Sequence, residues 1–187
     1  NYHYIINCTS NKNYVYKEYK LKNDFDYQIA KKIINLNIIQ IFLSSRKIYL
    51  PKNNIKENGN IKPSCNYSKN KLTTEKKLIK LLKKNVLILR ISNLIGIQKK
   101  NSKRKLHKTF IDIFFQNIKK GYILKNNNIY KDFISTKKFG EILQNLIKKK
   151  ATGIYNVSIG QKVYLKDIVN WLNTYNQNKV KYKYAEK

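Results

Sequence analysis

The chain has 187 residues, of which 42% are hydrophobic, enough for a full-sized domain with a buried core and too apolar for a disordered tail. Forty basic residues stand against ten acidic ones, for a formal net charge of +30. No apolar run reaches the ~20 residues that cross a bilayer, and two cysteines, Cys8 and Cys65, are too few for a disulfide framework or a zinc cluster.

Taken in chain order, His3 to Cys8 reads as a short buried strand ending in the polar run Thr9-Ser10-Asn11. Asp24 to Leu36 carries Phe25, Ile29, Ile33 and Leu36 at helical spacing. Ile38 to Leu43 is an apolar strand stopped by Ser44-Ser45. Residues 50–64 hold Pro51, Pro63 and Gly59 and read as a loop. Asn66 to Lys84 is a helix with a stripe of Leu72, Leu78, Leu81 and Leu82. Val86 to Ile91 is a nearly continuous apolar strand, the pattern of a sheet covered on both faces. A lysine-rich loop spans 97–106, a helix His107 to Lys120, a strand Ile129 to Ile134, and a helix Thr136 to Lys149. A strand from Ile154 to Val157 and a helix from Leu165 to Asn173 complete the series. Strands alternate with helices, which predicts an α/β fold with a parallel sheet. The 97–106 loop is the best candidate for a domain boundary.

The charge has a bland explanation. Lys, Asn, Ile and Tyr number 37, 26, 27 and 15. These residues have codons made mostly of A and T, so an AT-rich gene accounts for them. A nucleic-acid surface is expected to use arginine, whose planar fork reads phosphate and guanine. Only Arg46, Arg90 and Arg104 are present, and the lysines run evenly along the chain. Nucleic acid is therefore not the expected partner, and a basic polyanion-binding protein remains the alternative reading. With no basic leader or cleavage site at the start, a reducing cytoplasm is the default compartment.

Three features carry chemistry. Ser44-Ser45 ends a strand, and in open α/β sheets ligands bind beyond the carboxyl ends of strands. Tyr67 and Lys71 lie four residues apart at the start of a helix, one turn apart on one face. A nearby ammonium favours the phenolate and lowers a tyrosine pKa, making a usable general acid/base. Arg90 to Gly96 follows, again where a strand gives way to a loop. Tyr16 and Lys20 share the Tyr-x-x-x-Lys spacing without the other features, so the spacing alone is weak. Glu75 reads as an exposed i,i+4 partner of Lys71, worth tenths of a kcal/mol. Cys65 reads as a buried, inert thiol, and His107 as a helix-start residue. Trp171 and Leu172 read as core, and the Leu78/Leu81/Leu82 stripe as core or dimer packing.

The order of these features resembles a known family. Ser44-Ser45-Arg46-Lys47-Ile48-Tyr49 is similar to "SSxxVY", and Tyr67, Lys71 and Glu75 to "YxxxKxxxE". Leu89 to Gly96 is similar to "LRxxNxYG", Lys131-Asp132-Phe133-Ile134 to "RDFI", and Gly153 to Gly160 to "GxYNVGxG". Together these resemble the extended short-chain dehydrogenase/reductase family, of the nucleotide-sugar epimerase/dehydratase kind, from His3 to about Trp171. The match begins at the family's fourth strand, and no Gly-rich GxxGxxG turn occurs among the six glycines. With Met absent, position 1 included, the expectation is a fragment equivalent to the C-terminal two-thirds of such an enzyme. An inactive remnant is a further alternative.

The resemblance implies a Rossmann-like parallel sheet flanked by helices, incomplete at its N-terminus, with a small α/β substrate-binding portion. Residues 1–96 would be the rest of the NAD(P)-binding domain. Residues 97–187 would be mostly substrate-binding, with segments returning to the main domain. It implies NAD or NADP as cofactor, a nucleotide-sugar substrate and a homodimer through the Tyr67–Lys71 helix. Tyr67 would be the acid/base, Lys71 would hold the nicotinamide ribose and lower the Tyr67 pKa, and Ser45 would bond the reacting hydroxyl or carbonyl. Thr9 and Ser10 would lie by the cofactor; Asn93 and Lys131 would contact the nucleotide-sugar. Lysine replaces the family's arginine at 131, losing the bidentate fork. Lys137 and Lys138 replace a usual Asp-Asp, and no Asp-Glu pair of the dehydratase kind follows Ser45. Epimerase or keto-sugar reductase chemistry therefore fits better than dehydration.

Overall fold

The computed structural model describes residues 3–96, 110–119, 123–124, 129–175 and 183–184. They divide into two units. The first comprises 1–92 and 142–157, and the second 93–141 and 158–187.

The first unit is built on a parallel sheet. Tyr4–Ile6 (β1) leads to the short helix Lys12–Tyr16 (α1) and then to Phe25–Ile33 (α2). Ile39–Ser45 (β2), Asn66–Leu82 (α3) and Val86–Ile91 (β3) follow. The sheet order is β1, β2, β3 and then Gly153–Val157, which is β8 in chain order. All pairs are parallel, with Phe42 opposite Ile88 and Ile88 opposite Ile154. The all-buried sequence Val-Leu-Ile-Leu-Arg-Ile of β3 is what a central parallel strand requires.

Alternation along the strands puts Phe42, Ile88 and Ile154 on one face. There they pack against Ala30 and Ile33 of α2 and Leu78 and Leu82 of α3. Burying each of these larger side chains contributes about 1.5–3 kcal/mol before entropy is subtracted. Two helix starts are capped locally. The Asp24 carboxylate accepts from the Tyr27 N–H at the start of α2. At α3, Cys65 and Ser68 form a reciprocal capping box.

The second unit contains Asn93–Ile95 (β4), Phe110–Lys119 (α4), Ile123–Leu124 (β5), Tyr130–Lys131 (β6) and Phe133–Ser135 (β7). Thr136–Lys148 (α5) follows, contributing Ile142 onward to the first unit. After β8 come Val163–Tyr164 (β9), Leu165–Tyr175 (α6) and Lys183–Tyr184 (β10). β4 pairs in parallel with β7, β6 pairs antiparallel with β9, and β10 pairs in parallel with β5. Phe114, Leu165 and Val169 form a core here, flanked by Phe110, Ile129, Ile168 and Leu172. Gly96 has a steric reason: a Cβ there would come within 2.7 Å of Thr136 Cγ2.

The α/β class with a parallel sheet is as the sequence predicts. Two details differ. The single strand expected over Ile129–Ile134 is two, because β6 pairs with β9 and β7 with β4 on either side of Asp132. The Asp132 carboxylate accepts the N–H groups of Ile159, Gly160 and Gln161, so its side chain holds a loop. Trp171, expected in the core, is 57% exposed, because α6 packs through Leu165, Val169 and Leu172. His107 lies outside the described residues.

Candidate active site

Helix α3 organises the site. Tyr67, Lys71, Glu75, Leu78 and Leu82 recur at helical spacing along one face. Leu78 and Leu82 enter the core, and the three polar residues continue that face toward the carboxyl ends of β2 and β3.

Tyr67 lies in the first turn of α3, where the side chain of Ser45, the last residue of β2, acts on its hydroxyl. The Ser45 hydroxyl also accepts from the Lys47 N–H, which starts a short 3-10 turn. Lys71 is buried, and its Nζ donates to the Leu43 carbonyl at 2.8 Å. That ammonium lies 5.9 Å from the Tyr67 ring centre, 5.5 Å from that of Tyr14 and 4.5 Å from that of Phe42. Ser45, Tyr67 and Lys71 are therefore brought together within one unit.

The electrostatics differ from the sequence expectation. Burial raises the Tyr67 pKa, and the Ser45 hydrogen bond offsets this only in part. Burial also lowers the Lys71 pKa, against the opposing pull of Asp26, Asp24 and Glu75. The expected lowering of Tyr67 by Lys71 is absent because desolvation dominates and the lysine nitrogen is engaged with a backbone carbonyl. The phenol therefore stays protonated in the neutral range.

Thr9 and Ser10 are exposed beyond the end of β1. They line a small recess with Asn11, Tyr14, Asp24, Asp26 and Lys71. Thr9 is fixed by Asn7, whose Oδ1 accepts from both its N–H and its hydroxyl. Asn93 and Lys131 belong to the second unit. The Asn93 amide donates to the Asp132 carbonyl at 2.7 Å, and the Lys131 ammonium lies 5.4 Å from the Phe110 ring centre.

Glu75 overturns its sequence expectation. It is 1% exposed, and its partner is Arg90, at 2.7 Å, in place of Lys71. The register aligns Ser44 of β2, Arg90 of β3 and Asn156 of β8 in one row. Glu75 accepts from Ser44 and from Arg90 Nε and Nη2. Arg90 Nη1 donates to the Tyr49 hydroxyl at 2.6 Å and to the Glu57 carbonyl at 2.9 Å. Tyr49 in turn donates to Asn156 Oδ1 at 2.8 Å. Glu75 thus ties α3 to the sheet immediately after Lys71. Cys65 also differs: it is exposed, because it caps α3 from outside the core. Partial burial raises its pKa, but the Ser68 hydrogen bonds and the Lys47 charge bring the net value below that of an ordinary thiol.

Sequence reasoning missed Asp24 and Asp26 as site neighbours. Asp24 accepts from Tyr19 and Thr74 as well as capping α2. Asp26 accepts from Asn7 through Oδ2, while its buried Oδ1 has no hydrogen-bond partner. Two of ten acidic residues, side by side at a helix start in so basic a chain, were the available signal.

No family model and no curated protein matches the chain. Solved structures do. A UDP-N-acetylglucosamine 4-epimerase from Methanobrevibacter ruminantium M1, in complex with UDP-N-acetylmuramic acid, matches with a TM-score of 0.73 at 20% identity. The match covers 99% of this chain and 64% of that one. WbmG from Bordetella bronchiseptica, in complex with NAD, has a TM-score of 0.70 at 18% identity, over 98% of this chain and 59% of its own. A hypothetical dTDP-4-dehydrorhamnose reductase from Sulfolobus tokodaii has 0.71 at 18%, over 98% and 65%. The fold is theirs. At this identity the likeness is one of fold, and the chain spans about two thirds of those proteins or slightly less. The parallel α/β architecture and the resemblance seen in the motifs agree with it. Among the described residues, no helix is long and apolar enough to cross a membrane.

Proposed function

We propose that the chain is the catalytic portion of an NAD(P)-dependent epimerase or reductase acting on a nucleotide-activated sugar. The observation that carries this reading is the convergence of Ser45, Tyr67 and Lys71 at the carboxyl end of β2. The fold supports it, being shared with enzymes solved with NAD and with a UDP-sugar.

The residues present suit a nicotinamide nucleotide. The recess offers the hydroxyls of Thr9 and Ser10 and the Lys71 ammonium. Thr9, Ser10 and Lys71 would hold ribose hydroxyls. When bound, the nicotinamide supplies a hydride donor or acceptor. Tyr67 gives its proton to the sugar oxygen in the reductive direction and regains it in the oxidative one. The raised Tyr67 pKa keeps the phenol protonated before reaction. Ser45 fixes the phenol and is placed to donate to the same sugar oxygen. Asn93 and Lys131 would bind the nucleotide, Lys131 as a point charge on phosphate.

The test is turnover of UDP- and dTDP-sugars with NAD(H) or NADP(H). Tyr67→Phe is expected to lose about 100-fold or more while dinucleotide binding, followed by fluorescence, persists. Unchanged turnover would remove Tyr67 from the chemistry.

A further inference from the structure

The buried surroundings of Lys71 contain a group that the proposed chemistry leaves unused. Asp26 lies in the first turn of α2 and is 8% exposed. Its Oδ2 accepts from Asn7 at 3.2 Å, whereas its Oδ1 is buried without a partner. Asp26 and Lys71 line the same recess, which the exposed Thr9 and Ser10 also line. Nature rarely leaves a carboxylate oxygen buried and unbonded, because its desolvation is uncompensated. The buried Lys71 ammonium lines the same recess, beyond ion-pair distance, and is the cation that acts on it.

We propose that Asp26 is a positioning residue, the counter-charge that keeps Lys71 an ammonium beside Tyr67 and so couples the site to pH. The inference rests on Tyr67 and Lys71 being the proton-handling pair. The groups that act on Lys71 are Asp26, Asp24 and Glu75, with the rings of Tyr14, Tyr67 and Phe42 around it. Those that act on Asp26 are Lys71, Asp24, Asn7 and Gln40. Asp24 is spent on Tyr19, Tyr27 and Thr74, and Glu75 on Ser44 and Arg90. Asp26 is therefore the carboxylate on the Lys71 recess that keeps an oxygen without a hydrogen-bond partner. Burial raises its pKa to about 6, against the opposing pull of Lys71, so its charge changes in the neutral range. Below that point Lys71 loses its counter-charge and its own proton becomes easier to remove.

The experiment follows the Lys71 side chain by NMR of lysine-labelled protein, its resonance assigned by its disappearance in Lys71→Arg. The readout requires no substrate, so it stands or falls separately from the proposed turnover. In the wild type the Lys71 resonance should inflect at about pH 6, where Asp26 ionises. Asp26→Asn should abolish that inflection and lower the Lys71 midpoint by about one unit or more, a tenfold change in acidity. Asp24→Asn should leave the inflection in place. A merely structural aspartate would move neither quantity. A flat wild-type trace through that range overturns the proposal even if Asp26→Asn does not fold. So does an unchanged Lys71 midpoint in Asp26→Asn, or an inflection that follows Asp24.

Discussion

Two sets of buried charges meet at one helix, one an ion pair and the other not, and they are treated in opposite ways. At Glu75 and Arg90 every charge is answered: Glu75 takes Ser44 and the guanidinium, and Arg90 adds Tyr49 and the Glu57 carbonyl. At Asp26 and Lys71 the bonding is incomplete, with one carboxylate oxygen unpartnered and both groups displaced from their ordinary pKa by burial. A fully satisfied buried pair fixes geometry, whereas an under-satisfied one holds titratable charge in reserve. The two lie one helical turn apart on α3, so rigidity is supplied directly beside the groups that must change state.

The largest effect should come from breaking the satisfied pair. Glu75→Ala leaves Arg90 buried and unpaired and is expected to cost about 3–5 kcal/mol in urea unfolding. Replacing both with apolar residues of similar volume should restore much of that loss, which would show the pair to be geometric in purpose.

Next comes the pH dependence of the incomplete pair. The folded state raises the Asp26 pKa to about 6 and therefore favours its protonated form. Its contribution to stability is complete below the ordinary carboxylate value and is lost as pH climbs through about 6. Over that window the wild type should lose up to about 3 kcal/mol on this account. Asp26→Asn should flatten the slope when unfolding is measured at a series of pH values. An identical slope in the variant would erase the contrast drawn between the pairs.

Removing a peripheral member of the satisfied network should cost less. Tyr49→Phe deletes the hydroxyl bridging Arg90 and Asn156 and should destabilise by about 1–3 kcal/mol. The smallest effect is expected on the surface. Lys138 and Glu141 form an exposed pair at 3.0 Å on α5, and Lys138→Ala should change stability by less than about 0.5 kcal/mol.

Much of the scaffold was legible from local pattern. Val86–Ile91 and the helix starting at Asn66 announce themselves through a continuous apolar run and a 3.6-residue stripe. The grouping of Ser45, Tyr67 and Lys71 was legible as an order of motifs. The network was not, because its partners are distant in sequence. Glu75 finds Arg90 15 residues away, and Tyr49 finds Asn156 107 residues away, so the lysine one helical turn before Glu75 misled. The raised Tyr67 pKa escaped for a related reason: spacing reveals a neighbouring charge but not how deeply both groups are buried. Short elements such as α1 and β9 are set by tertiary contacts and carry too little periodicity to read.

The row formed by Ser44, Arg90 and Asn156 has a kinetic corollary. Two of its strands are near neighbours along the polypeptide, but the third arrives only after residues 93–141 of the second unit. Closing so long a loop is entropically slow, and β8 has to dock before the Asn156 amide can engage Tyr49 and the Ile55 carbonyl. Protection of the β8 amides against deuterium should therefore lag that of β2 and β3 during refolding, making this strand the latch that completes the sheet.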